Sequence, residues 1–198
     1  TSYGTDTGAG GTVRGNYATL NPLAKASAAT LSNGNLDAVG TTGWTWAMTT
    51  IAVTSGKWYW EVTHTNGGVD NLFCGIAKTT FQNFTYNLNH ALSDSYNVYG
   101  YTSYSGYKEG QGADTAYGAT FQTAGDIVGV ALDMDAGTLT FYKNGVSQGQ
   151  AFSGITVQVC PVWGGASASV SAANMNFGQR AFAYTAPSGF KALCTQNL

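Results

Sequence analysis

The segment from Gly125 to Gly145 constrains the fold more than any other part of the chain. Ile127–Leu132 is an unbroken apolar run, short for a helix and suited to a strand covered on both faces. Asp133-Met134-Asp135-Ala136-Gly137 has the composition of a turn. Leu139 and Phe141 then alternate with Thr138, Thr140 and Tyr142, which places them on one face of a second strand. Asn144-Gly145 supplies a two-residue hairpin turn, because both positions of a type I′ turn need a positive φ. A strand buried on both faces needs a second layer of structure packed over it. The segment predicts an all-β chain, a sandwich or a barrel.

The rest of the chain has the same character. No segment shows helical periodicity with caps at both ends; short runs of β-branched and aromatic residues are separated by Gly, Asn, Asp and Ser. Tyr17–Leu20 and Thr30-Leu31 read as strands, and Asn33-Gly34 as a two-residue hairpin turn. Trp44, Trp46 and Met48 alternate as in a half-buried strand, with packing favoured over ligand contact for the tryptophans. In Lys57–Val62, Trp58, Trp60 and Val62 share one face and Tyr59 and Glu61 the other. Leu72–Ala77 is a further strand, with Gly75 permitting close approach. Strands are also expected near Val157–Trp163, Ser167–Ala172 and Asn174–Phe177, and Gly189–Leu193 closes the core. We read residues 1–198 as one domain, with 1–16 a Gly-rich arm and 17–50 an N-terminal β extension.

Composition excludes several function classes. Charged residues make up 9% of the chain and the net charge is −2, with the eight Lys and Arg scattered, so no basic stripe exists to track nucleic acid. With 43% hydrophobic and 13% aromatic residues, the low charge does not signal disorder. No apolar run approaches the roughly 20 residues that cross a bilayer, and Thr1–Asp6 lacks the regions of a signal peptide, so a soluble chain without membrane insertion is expected. Cys74, Cys160 and Cys194 are odd in number and widely spaced, and read as buried free thiols.

Several ordered motifs between Ile51 and Leu193 resemble the SPRY family. They are Ser55–Val62, Gly75-Ile76-Ala77, Gly125–Asp133, Gly137–Gly145, Ala151-Phe152, Pro161-Val162, Asn176-Phe177-Gly178 and Pro187–Phe190. The resemblance implies an all-β, two-sheet antiparallel sandwich, a concanavalin-like jelly-roll, whose edge loops bind partners. Val162-Trp163-Gly164 matches a Val-Trp-Gly stretch that helps line a peptide pocket in SPRY proteins with a SOCS box. Tyr3–Gly8, Asn16–Pro22, Leu31–Leu36 and Gly189–Leu198 are similar to segments of SPRY-containing bacteriophage virion and tail-fibre proteins, which implies a location on the virion surface.

Each motif with chemical potential also has a plain structural role. Gly145-Val146-Ser147-Gln148-Gly149 spells G-x-S-x-G, but a nucleophile elbow needs a strand, a sharp turn and a helix. Asp133 and Asp135 begin a calcium-like spacing that Gly137 and Asn144 fail to complete, which favours turn chemistry. His64 and His90 are isolated, and Asn83-Phe84-Thr85 is a glycosylation sequon relevant only in a secretory host. No catalytic residue, metal site or cofactor is assigned.

The polar stretch from Thr79 to Gly112 carries the binding signal. Long loops in compact domains are commonly functional. Tyr99, Tyr101, Tyr104 and Tyr107 lie among Gly and Ser, the vocabulary of antibody contact loops. The Tyr99/Tyr101 alternation fits an inward-packed strand equally well. The candidate binding set is Tyr99, Tyr101, Tyr104, Tyr107, Val162, Trp163 and Gly164. The expected function is non-enzymatic recognition of a host-surface glycan or protein. The alternative is a structural virion component, such as a capsid decoration or tail-assembly adaptor, that binds other virion proteins. No heptad pattern declares an oligomeric state.

Overall fold

The computed structural model describes residues 15–41, 45–67, 71–80, 98–110, 113–166 and 170–198. Trp44, His90, the Asn83 sequon, most of the N-terminal arm and the aromatic residues between 81 and 97 lie outside the described residues. Among those described there is no helix. The strands are β1 (Leu20–Lys25), β2 (Ala29–Ser32), β3 (Asp37–Gly40), β4 (Thr45–Thr49), β5 (Lys57–His64), β6 (Asn71–Lys78), β7 (Val98–Thr102), β8 (Tyr107–Gly110), β9 (Ala113–Ala116), β10 (Ile127–Asp133), β11 (Thr138–Lys143), β12 (Val146–Phe152), β13 (Val159–Ala166), β14 (Ser171–Asn176) and β15 (Lys191–Ala192).

They form two sheets. One runs β1-β4-β13-β6-β7-β8-β9; the other runs β12-β11-β10-β5-β14-β3-β2, with β15 added in parallel to β5. Every other pairing is antiparallel. The hairpin expected from Gly125–Gly145 is β10–β11. Leu132 pairs with Leu139 and Val128 with Lys143, and β10 lies between β11 and β5. Its continuous apolar run follows from that central position.

Between the sheets, Trp58, Trp60 and Val62 of β5, Val128, Val130 and Leu132 of β10, and Leu139 and Phe141 of β11 share one core with residues of the other sheet. Those are Leu72, Cys74 and Ile76 of β6, Tyr99 and Tyr101 of β7, and Trp163 of β13. Full burial of one such side chain contributes about 1.5–3 kcal/mol. The three cysteines are free and buried.

Tyr59 and Glu61 point to the outer face of β5, yet both are buried. The chain after β14 crosses that face as a strap. Ala183 N and Tyr184 N donate to the Glu61 carboxylate at 2.8 and 2.9 Å, and the Phe182 ring meets Tyr59 edge-on at 4.9 Å. Burial beside Glu61 pushes the Tyr59 phenol well above its ordinary value. Leu193 then enters the core, as expected for the closing segment.

The structure corrects several local expectations. The β2–β3 turn is longer than Asn33-Gly34 alone suggests: Ser32 pairs with Asp37, and Asn33, Gly34 and Asn35 all have positive φ. The longer turn lets Leu31 and Leu36 both pack against the core. Tyr17 pairs with Cys194 in an isolated bridge outside the named strands, and β1 begins at Leu20. Trp46 and Met48 face a second, outer cluster with Ala77, Val98, Cys160 and Val162, while Ala47 faces the main core.

Candidate functional site

β5 runs from Lys57 to His64, and the loops at its His64 end interlock into one surface. Asn66 Nδ2 donates to Val170 O, and Ala172 N donates to Asn66 Oδ1 at 3.0 Å. A Cβ on Gly67 would press on Ala124 N, so the β5–β6 turn abuts the β9–β10 loop. Phe121 N donates to Ser103 O at 3.2 Å, tying that loop to the β7–β8 turn. Tyr117 N and Gly118 N both donate to Gly106 O, and Ala119 N donates to Gln148 Oε1 at 2.9 Å, reaching β12. The opposite end of β5 carries the 133–137 turn and the joined segments in which Thr195 N donates to Asn16 O.

The β7–β8 turn is the centre of this loop surface. Ser103 Oγ accepts from Leu72 N at 2.8 Å, Thr102 Oγ1 and Ser105 Oγ lie 2.8 Å apart, and Tyr107 N donates to Ser105 Oγ at 3.2 Å. The hydroxyls hold the turn, leaving its two tyrosine rings outside: Tyr104 is 55% and Tyr107 40% exposed. Thr65, Asn66, Thr115, Ala116, Ala119, Thr120, Thr123 and Ser147 are exposed around them. Among the described residues no charged side chain of this surface is fully exposed; Asp114 and Lys143 are half-buried at its margin. Asp126 pairs with Lys143 at 3.6 Å, and this pair is largely buried. Burial pushes the Asp126 carboxyl up, but Asn144 Nδ2, Thr123 N and Lys143 outweigh that and hold it below its ordinary value.

The seven candidate residues do not form one site. Tyr99 and Tyr101 are buried in the core: Tyr101 stacks among Tyr117, Phe121 and Phe141 and donates to Ala119 O. Burial pushes both phenols above their ordinary value. Trp163 joins the same core, while Val162 belongs to the cluster on the opposite face of the sheet and Gly164 packs beside Phe73. Neighbouring residues of a strand point to opposite faces, so this triplet lines no common pocket at mid-strand. Tyr104 and Tyr107 alone of the seven are exposed.

Sequence reasoning gave Glu109 no role beyond a glycosidase carboxyl that nothing supports, and it missed Tyr117. Glu109 is only 7% exposed and faces Asp114 across the β8–β9 pair. Tyr117 fills a bulge between β11 and β12: its hydroxyl donates to Gly149 O and accepts from Phe141 N at 3.3 Å. The Tyr-Gly pair at 117–118 was its only outward signal.

The enzymatic and metal motifs resolve into structure. Ser147 lies within β12, its Oγ accepting from Gly149 N at 3.1 Å, so no strand–turn–helix elbow surrounds it. Asp133 Oδ1 accepts from Asp135 N and Ala136 N, its Oδ2 pairs with Lys57 at 2.8 Å, and Asp135 Oδ1 accepts from Gly56 N. These are turn bonds. Among the described residues no cluster of three or more His, Cys, Asp or Glu could hold a metal ion.

A profile for the SPRY domain matches residues 57–180. The chain belongs to the SPRY family. Among solved structures, the SPRY domain of human HERC1 covers 79% of this chain and 96% of its own length, at a TM-score of 0.67 and 20% identity. Stonustoxin covers 80% of this chain and 27% of its own, at a TM-score of 0.59 and 21% identity. These two show the shared fold. The E3 ubiquitin-protein ligase RKP of Arabidopsis thaliana is 29% identical over 109 residues, which is 55% of this chain and 8% of the ligase. SPRY domains are protein-binding modules. None of the relatives named is a phage or tail-fibre protein, and the virion setting suggested by the terminal strings finds no support in them.

Proposed function

We propose that this SPRY domain docks a protein partner on the loop surface around Tyr104 and Tyr107. The observation that carries the reading is the pairing of two exposed tyrosines with a hydroxyl-rich surface on which the charged side chains among the described residues are at least half-buried. Tyrosine gives a large, rigid contact with a polar tip, and its truncation at an interface commonly costs more than 1 kcal/mol. A surface without exposed charge gains little from long-range steering, so binding depends weakly on salt. The same chemistry suits a neutral sugar ring, so a glycan is the second outcome of the test. Placement on a virion rests on the terminal strings alone and adds nothing to this surface.

The test selects peptide ligands from a displayed random library and screens a glycan array in parallel. Ligands of the wild type should lose tenfold or more in affinity on Tyr104→Ala and Tyr107→Ala. They should be unaffected by Leu23→Ala, a side chain 94% exposed on the remote β1 edge. Affinity should change less than about threefold between roughly 0.05 and 0.5 M salt. Ligands indifferent to both tyrosines, or a steep salt slope, refute the assignment; array binding without peptide binding transfers the surface to sugars.

A further inference from the structure

The inner row of β5 reads Trp58, Trp60, Val62 and His64, so an imidazole takes the last place in an otherwise apolar row. His64 is 1% exposed. Burying a polar ring is costly unless its N–H finds an acceptor, and an aliphatic side chain would fill the place without that demand. The acceptor is Phe121 O, 3.0 Å from Nδ1 and 57 residues away along the chain. A carbonyl oxygen can only accept, so Nδ1 carries the hydrogen. Among the described residues Phe121 O takes no other donor.

The backbone of His64 holds the same loop at its other end. His64 N donates to Asp126 O at 2.9 Å, and Gly125 N donates to His64 O at 2.8 Å. One residue therefore fixes both ends of the segment from 121 to 126, which contains no strand. Within it, Asp126 N donates to Thr123 O and Thr123 N to Asp126 Oδ2. Ala119, just before it, is bonded to the Tyr101 hydroxyl and to Gln148 Oε1. The Tyr104 turn has its own anchor in β6: Ser103 N donates to Leu72 O and Leu72 N to Ser103 Oγ, both at 2.8 Å. The two parts meet where Phe121 N donates to Ser103 O at 3.2 Å. The Phe121 peptide unit thus joins the loop that exposes Thr120 and Thr123 to the turn that exposes Tyr104.

We propose that His64 is a positioning residue of the docking surface: its ring, acting through the Phe121 carbonyl, sets where Thr120 and Thr123 stand against Tyr104. Being buried, it touches no ligand itself. Its part in docking rests on the docking reading; its hold on the loop does not.

The experiment follows amide hydrogen exchange at Phe121, relative to Val130 in the centre of β10, in the wild type, His64→Leu, His64→Asn and His64→Gln. The asparagine nitrogen is bonded to Cγ, as Nδ1 is, and can take over the bond to Phe121 O; the glutamine nitrogen lies one carbon further out. Relative protection of Phe121 should fall at least tenfold in His64→Leu and His64→Gln and stay within about threefold of the wild type in His64→Asn. The affinity of peptides selected on the wild type should follow the same order, while the urea midpoint reports loss of packing separately. Unchanged Phe121 protection in His64→Leu overturns the proposal. So does a loss that is equal in His64→Asn and His64→Gln, which reduces His64 to packing. If His64→Leu does not fold, the comparison of Asn with Gln decides alone. If protection follows the expected order while peptide affinity is the same in all the folded variants, His64 holds the loop as stated and the docking assignment fails.

Discussion

Glu61 offers the sharpest test of how the strap over β5 is held. Its carboxylate is buried, accepts from Ala183 N at 2.8 Å, Tyr184 N at 2.9 Å and the Tyr59 hydroxyl at 3.3 Å, and has no cation beside it among the described residues. A hydrogen bond to a charged group contributes roughly 1.5–3 kcal/mol, and each buried amide left unpaired costs about 1–3 kcal/mol. Against this stands the desolvation of the carboxylate, which its removal returns. Glu61→Gln keeps one acceptor oxygen but turns an NH2 toward the second amide, so we expect a loss of about 2 kcal/mol. Glu61→Ala removes both acceptors and should cost more, up to the point where the strap lifts and water takes over the amides. Arg180 and Lys191 bracket the strap, so trypsin reads the lifting directly. A local loss of about 2 kcal/mol corresponds to roughly thirtyfold faster cleavage at these sites, alongside a lower urea midpoint. An unchanged midpoint together with unchanged cleavage in Glu61→Ala would show that the strap is held by Phe182 and β15 alone, and that the bonds to Glu61 contribute nothing.

Two further predictions concern the loop surface and its supports. Tyr117→Phe keeps the ring packing but leaves Phe141 N and Gly149 O without their bridge, and should cost about 1–3 kcal/mol in urea denaturation; Tyr101→Phe, which gives up one bond to Ala119 O, should cost less. Asp126 and Asp133 both titrate below their ordinary value. For each, burial pushes upward and is outweighed, at Asp126 by Asn144 Nδ2, Thr123 N and Lys143, and at Asp133 by Lys57 together with Ala136 N and Asp135 N. Their contribution is present above about pH 4 and fades as pH falls through the lowered native values, so Asp126→Asn should flatten the acid limb of a stability–pH curve.

The parts of the fold legible in the sequence are those where burial writes a pattern. β10 is covered on both faces and reads as a solid apolar run; β5 and β11 read by alternation. β8, β9 and most of β12 were illegible because other forces hold them. Val146–Phe152 is largely exposed until Ala151, and its carbonyls are bonded by side chains: Tyr117 to Gly149 O and Lys108 to Ala151 O. Such long-range bonds leave no periodic trace. The β2–β3 turn was misread because the Asn-Gly signal marks a reversal, and the positive φ at Asn35 that lengthens it looks like any other asparagine.

The binding surface was half legible, for a reason that lies in spacing. Tyr99 and Tyr101 are two apart on either side of Gly100, where a Cβ would overlap the Phe73 ring, and that spacing commits both to one strand face. Tyr104 and Tyr107 are three apart around Gly106, whose φ of 68° belongs to a turn. Composition treats the four alike, and the turn divides them. The two glutamates divide in a similar way. Both are buried, but Glu61 meets two amide donors, while at Glu109 burial first and a facing carboxyl second push the acid up. Neither adds charge to the loop surface. That is why salt dependence discriminates between readings here: the described residues of this surface give little reason for a strong slope.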